Sequence, residues 1–215
     1  MDASGKKTKG EKTQEHITDC FIHLMAYKRW DRITVKEICA EAKLTRGTFY
    51  QYFDDIYDLM ERIQEQLLDD LRRRYKAVKP PSQFRVERDE DGRIRRFSDE
   101  APGIFCAWFE FCRAHKEVIL ALCDEEHGDS YFRRKLQNVV TVQLDIMMDW
   151  DGMPRDGLRR PFLDMVFSMH YYAMYAWLTS DDGLDTEEMA NMLNTLRLGA
   201  TYNLRKNSGR KVEMT

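Results

Sequence analysis

Apolar residues recur at three- and four-residue spacing through most of this chain, and little interrupts them: its 215 residues include only 11 glycines and 5 prolines. That spacing lines one face of a helix, whereas strands need alternation and frequent turns. An all-β chain is excluded on this ground, and the expectation is an all-α fold of about nine helices. With 43% hydrophobic and 33% charged residues, the composition is that of a globular protein with a buried core. No apolar run approaches the ~18 uncharged residues of a membrane span, so no membrane is expected as a partner.

The first residues, MDASGKKTKGEKTQEH, contain lysines but no apolar stretch behind them. They read as a disordered arm over about 1–12 and not as an export signal. Five cysteines without paired spacing then read as reduced thiols of a cytoplasmic protein. The net charge of −3 is unevenly spread, because residues 1–50 hold ten Lys and Arg against seven Asp and Glu. A basic end on an acidic body suits a protein that offers one face to a polyanion.

Helix signals divide the chain. Ile17, Cys20, Phe21, Leu24 and Met25 mark an amphipathic helix over about 13–29. Thr34-Val-Lys-Glu37 is a capping box that opens a short helix through Ala42, and Thr45 can cap another to about Tyr52. Asp54 or Asp55 can cap a long helix over about 56–78, which stops before Pro80-Pro81. Residues 79–98, with the Asp-Gly signal of FRVERDEDGRIRRF, fit a solvated hairpin or a mobile loop equally well. From about Asp99, GIFCAWFEFCRAHKEVILALCDEE fits two helices or one bent helix, and SYFRRKLQNVVTVQLDIMMDW a further one. PFLDMVFSMHYYAMYAWL is apolar on nearly every face, which predicts a helix buried all round. Asp185-Thr-Glu-Glu188 opens a last helix to about Asn203, with a frayed basic tail after Arg205.

A long helix followed by two short ones joined by a tight turn is the outline of a helix-turn-helix. Ile38 and Ala42 face inward from the second helix, Leu44 fills the turn, and Phe49 and Phe53 seat the third on the first. That leaves Arg46, Gly47, Thr48, Gln51 and parts of Tyr50 and Tyr52 facing out. Each has a use on a duplex: Arg46 at guanine or phosphate, Thr48 at a base edge, the tyrosine hydroxyls at phosphate oxygens, and Gly47 allowing close backbone approach.

TVKEICAEAKLTRGTFYQYFDDIYDLM, within a match from about Thr13 to Leu59, resembles the DNA-binding motif of the TetR family of bacterial transcriptional regulators. The resemblance implies an HTH domain over 1–55 and a helical regulatory and dimerisation domain over 56–215. It further implies a homodimer on a pseudo-palindromic operator in double-stranded DNA, released by a small apolar or aromatic effector, with repression as the family default. Thr34 and Thr45 match positions that cap and contact phosphate. Arg46, Gly47 and Thr48 match base-reading positions, Tyr50 and Tyr52 match phosphate-contacting ones, and Lys36 and Gln51 complete the DNA-facing set. Two residues depart from the family. Lys43 stands where glycine is common at the turn, and Ile56, behind Asp54 and Asp55, stands where a lysine usually grips phosphate. Lys6, Lys7, Lys9 and Lys12 are available to compensate. The alternative reading is a helical protein-interaction module or ligand sensor with weakened DNA binding.

The C-terminal part is rich in Met and aromatic residues that can line an apolar ligand site; Trp108, Phe109, Phe111, Met169 and Tyr172 are the candidates. His170, Tyr171, Tyr172 and Tyr175 sit in an otherwise apolar helix and, if buried, need a ligand or a dimer mate as hydrogen-bond partner. Met189, Met192, Leu193, Leu196 and Ala200 give the last helix an apolar face, which with the 161–178 helix suits a four-helix dimer interface. Cys112–His115 and Cys123–His127 have helical ligand spacing, but without a CxxC their convergence on zinc is not expected. No cofactor is expected either. GxSxG, GxGxxG, a Walker loop and HExxH are all missing, as are the strands that would carry them, so nothing proposes an enzyme.

Overall fold

Several of the helices begin where a side chain satisfies their first amides. In a computed structural model that describes residues 7–78, 87–88, 94–96, 103–150, 153–180 and 183–208, Thr8 caps α1 (Lys9–Met25). Its hydroxyl accepts the Glu11 N–H, and the Glu11 carboxylate accepts the Thr8 N–H in return. The stretch read as a disordered arm is therefore helical from Lys9 onward; Lys6 lies outside the described residues. After a 3₁₀ turn at Trp30–Arg32, the same device recurs at Thr34 and Glu37, opening α2 (Val35–Glu41). Thr45 caps α3 (Arg46–Tyr50). Asp55 accepts the Tyr57 and Asp58 amides at the start of α4 (Ile56–Ala77).

The turn between α2 and α3 explains the first departure. The Leu44 N–H donates to the Cys39 carbonyl (2.9 Å) and the Lys43 N–H to the Ala40 carbonyl (3.3 Å), a paired closure that forces Lys43 to φ +54°. A left-handed conformation strains any residue with a Cβ by about 1 kcal/mol. Lys43→Gly is expected to stabilise the fold by about that amount, read as a higher denaturation midpoint; an unchanged midpoint would contradict it.

Beyond α4, two short strands, β1 (Glu87–Arg88) and β2 (Ile94–Arg96), pair antiparallel, so the described part of 79–98 takes the hairpin option. The apolar run that follows is two helices, α5 (Gly103–Ala114) and α6 (Lys116–Cys123), and α7 (Ser130–Trp150), α8 (Arg159–Thr179) and α9 (Thr186–Ser208) complete an all-α fold. The Asp185 carboxylate caps α9 through the Glu187 and Glu188 amides, and the helix outlasts its expected end at Asn203 by five residues. Among the described residues no helix is long and apolar enough to cross a membrane.

The chain divides into two compact units. The first joins Met1–Asp69 to His115–Leu136. Its core contains Phe21 and Met25 of α1, Ile38 of α2, Phe49 of α3 and Leu59 of α4, together with Ile119 and Leu122 of α6. Three hydrogen-bonding links tie the far segment to the N-terminal helices. The Trp30 N–H donates to the His127 carbonyl (3.0 Å), Gln64 Nε2 donates to Asp129 Oδ2 (2.7 Å) in the interior, and Lys135 bridges to Glu61 (2.6 Å). Gly128 makes the α6–α7 turn possible, since a Cβ there would stand 2.5 Å from the Leu122 and Asp124 carbonyl oxygens.

The second unit joins Asp70–Ala114 to Gln137–Thr215 and is built round α5, which packs on α8 and α9. Ile104, Phe105, Trp108, Phe109, Phe111 and Cys112 are all buried along it. Buried Arg159 joins the α7 and α8 ends, donating to both Asp145 and Asp149 carboxylates and to the Met153 carbonyl. The expectation that the 161–178 helix is buried all round fails within the single chain. Leu163, Phe167, His170, Met174 and Leu178 face inward, while Met165 (52% exposed) and Tyr172 (67%) face out. The opposite side of α8 is thus apolar but uncovered, as are Met192 (43%) and Leu196 (47%) on α9.

Candidate nucleic-acid interface and effector cavity

The outer surface of α3 follows from what its inner surface must do. Phe49 and Phe53 turn inward, with ring centroids 5.6 Å apart, and both are buried. At 3.6 residues per turn the remaining positions face outward. Arg46, Gly47, Tyr50 and Gln51 are exposed, and Thr48 is half-buried. Lys36 is exposed on α2.

Not all these groups are equally available. The Thr34 hydroxyl and amide both donate to Glu37 Oε2, so its first task is to hold α2. Lys28 and Thr34, bonded to the Glu37 carboxyl, keep it down at about 2, which leaves this cap ionised throughout the neutral range. The Thr45 hydroxyl accepts the Thr48 N–H and lies 3.0 Å from the Thr48 hydroxyl. The Tyr52 ring lies against α1, where a methyl built on Gly10 would stand 3.6 Å from the tyrosine hydroxyl. Arg46, Tyr50 and Gln51 are the side chains most open to a partner.

Gly47 is informative for what it lacks. A methyl built on it would meet only the Thr45 hydroxyl, at 3.7 Å. Glycine inside a helix costs about 1 kcal/mol relative to alanine, so packing within the chain does not account for it.

The second departure also gains a physical account. Ile56 is the first residue of α4; of the two acids before it, Asp55 caps the helix with its carboxylate, while the Asp54 backbone N–H donates to Asp58 Oδ2. Negative charge at a helix N-terminus is partly offset by the aligned peptide dipoles. Of the N-terminal lysines, Lys7 pairs with Glu15, while Lys9 and Lys12 lie exposed on α1.

In the second unit a cavity with about 480 Å³ of empty space, some of it open to solvent, lies among α5, α7, α8 and α9. Phe105 of α5, Met147 and Met148 of α7, Phe162, Met165 and Met169 of α8, and Leu193 and Leu196 of α9 line it. Its polar lining residues are His170 and Arg197. Of the five residues expected to hold a ligand, Met169 alone lines this cavity. Trp108, Phe109 and Phe111 are wholly buried core residues, with Phe109 set edge-on to Trp177 at 5.4 Å, and Tyr172 is on the exposed side of α8. Ring size marked these aromatics as candidates, but α5 uses them to pack against its neighbours. The methionine wall and Arg197 carried no local signal beyond composition.

Among the described residues, no group of three or more His, Cys, Asp or Glu side chains is placed to hold a metal ion.

Residues 22–63 match the family model for the bacterial regulatory proteins of the tetR family. No curated protein matches the chain. Its fold is similar to that of solved regulators. The fatty acid degradation regulator FadR from Bacillus halodurans aligns at 15% identity and a TM-score of 0.58, covering 90% of this chain and 97% of that one. A transcriptional regulator from Pseudomonas aeruginosa PAO1 aligns at 11% identity and 0.62, covering 94% and 96%. FadR from Bacillus subtilis, solved in complex with stearoyl-CoA, aligns at 16% identity and 0.54, covering 85% and 96%.

Proposed function

We propose that this chain is a TetR-family transcriptional regulator, a reading supported by the family-model match over residues 22–63, and that it acts in the cytoplasm as a homodimeric repressor that leaves its operator when a small apolar molecule binds. The observation that carries the DNA-binding part is the outer surface of α3: Arg46, Tyr50 and Gln51 open to solvent around a glycine that the chain's own packing does not require. Arg46 reads a base edge or grips phosphate, Tyr50 donates to phosphate, and Gly47 lets the backbone come close. Thr34, Lys36, Thr45, Thr48 and Tyr52 flank this surface and complete the set.

Dimerisation is supported by the uncovered apolar side of α8 and α9. Met165, Tyr172, Met192 and Leu196 are too many exposed apolar groups on adjacent helices to suit water, and a second copy offers the same surface in return. Ala200, further along α9, falls outside the described side chains. In such a dimer the two α3 helices must stand about 34–36 Å apart to enter successive major grooves. A ligand lowers operator affinity only by favouring a conformation with another spacing. The rigid element suited to transmit this is α4, whose first part belongs to one unit and whose last part belongs to the other.

Selection of genomic fragments by the full chain at low salt tests the reading. A bound pseudo-palindrome is expected; failure to enrich any fragment would favour a ligand sensor that has given up DNA. The family's cation offers a finer check. Ile56→Lys is expected to raise affinity for all sequences alike and to steepen the salt dependence by roughly one unit of slope for the added phosphate contact. An unchanged slope would mean that the start of α4 does not face the DNA backbone.

A further inference from the structure

The cavity among α5, α7, α8 and α9 has an unusual polar feature in an apolar wall. His170 is only 3% exposed. Its Nδ1 lies 2.8 Å from the Val166 carbonyl of its own helix. A carbonyl oxygen can only accept, so Nδ1 carries the ring proton. Burial pushes the imidazole down to about 4, so at neutral pH there is no second proton. Nε2 is therefore a bare lone pair. It is buried without a hydrogen-bond partner, on the side of the ring away from the Val166 carbonyl, while the ring itself stands edge-on to Phe105 at 5.0 Å. His170 and Phe105 both line the cavity.

A buried acceptor left unmatched is a standing penalty, and a ligand that supplies the missing donor removes it. We propose that this cavity binds an apolar molecule bearing one hydroxyl group, an alcohol or a phenol, whose O–H donates to His170 Nε2 while its hydrocarbon body lies among the methionines. The inference rests on the reading of this unit as the effector-binding part and names the ligand chemistry within it. The lining is predominantly apolar, and its unbranched thioether side chains adapt to a flexible or aromatic body. An ether or a hydrocarbon of the same size fills the same space but brings no donor. A carboxylate would set lone pair against lone pair at Nε2. Arg197, which donates to Asn194 Oδ1 at 2.9 Å, lies on the α9 side of the cavity.

The test uses a matched pair, 4-hexylphenol and 4-hexylanisole, titrated calorimetrically into the full chain without DNA. The phenol is expected to bind at least about tenfold more tightly, since the site discriminates by a buried hydrogen bond. In His170→Phe, which keeps a ring of similar size beside Phe105, the preference should fall to within about twofold while the anisole still binds. Equal binding of the two probes by the unaltered chain, binding of neither, or a preference that survives in His170→Phe would each overturn the proposal. Should His170→Phe fail to fold, His170→Leu serves in its place, and the probe pair on the unaltered chain decides without either variant. Operator release is measured separately. A phenol that binds selectively yet leaves operator affinity unchanged would defeat the switch described above while leaving this inference standing.

Discussion

Met192→Glu is expected to convert the proposed dimer to a monomer at micromolar concentration and to lower operator affinity by more than about a hundredfold. Met192 is 43% exposed on α9, on the same uncovered side as Leu196, so a glutamate there remains hydrated in the isolated chain and should not unfold it. In a two-fold interface the substitution appears twice. Each carboxylate must then lose its water against an apolar surface, at several kcal/mol apiece if it finds no partner. An interface that must also overcome the entropy of association does not survive such a penalty. A single reading head retains only half of the base and phosphate contacts, which is why operator affinity falls with assembly. Sedimentation velocity and gel shift read the two effects, with circular dichroism checking that helicity is kept. A Met192→Glu chain that still sediments as a dimer would place the interface elsewhere. The contrast with Met189, one turn earlier and only 4% exposed, is useful: glutamate there would disrupt the core and report on folding instead.

Arg46→Ala is expected to weaken operator binding by about 1–3 kcal/mol, or roughly 5- to 150-fold, if the guanidinium is bidentate to a guanine. The loss should be concentrated at one base position of each half-site. If Arg46 holds phosphate instead, the loss is spread over all sequences and the salt slope falls by about one unit. Tyr50→Phe removes a single hydroxyl from a side chain that is 55% exposed and keeps the edge contact of its ring with Phe49 at 5.5 Å. Its effect should be smaller, sequence-independent and without change in thermal stability. Gel-shift titrations across single-base variants of the operator separate these outcomes. If both variants bind as tightly as the unaltered chain, α3 does not read DNA through these residues.

The parts of this architecture that were legible in the sequence are those decided within one helical turn. Thr34 with Glu37, Thr45, Asp55 and Asp185 each satisfy amides two or three residues away, so residue type and spacing are sufficient. The cap at Thr8 is equally local, but it lies among lysines and before any apolar periodicity, so composition concealed it. The apolar pattern of α8 identified a helix without fixing its surroundings, because periodicity cannot distinguish burial in the chain from a surface kept for a second copy. Long-range pairs left no mark at all. Gln64 and Asp129 are 65 residues apart, and nothing near either announces the other. The same holds for the apolar cavity of the second unit, whose lining comes largely from four helices. Residue type alone points to the largest rings, whereas the cavity lies where methionine side chains leave a gap. His170 was the exception, since an imidazole in an apolar helix already asks for a partner.

The tie between Trp30 and the α6–α7 turn bears on how such a protein can be recombined. Reading heads invite transplantation: cut after the third helix, graft the piece onto a foreign body, and obtain an old operator under a new signal. Here that cut would leave Trp30 without the His127 carbonyl, and a cut after α4 would still strand Gln64 without Asp129. The smallest portable piece is discontinuous, because it must bring α6 and the beginning of α7 along with the N-terminal helices. Working chimeras should therefore exchange the second unit around α6, keeping Gly128 and its two flanking segments from the donor of the head.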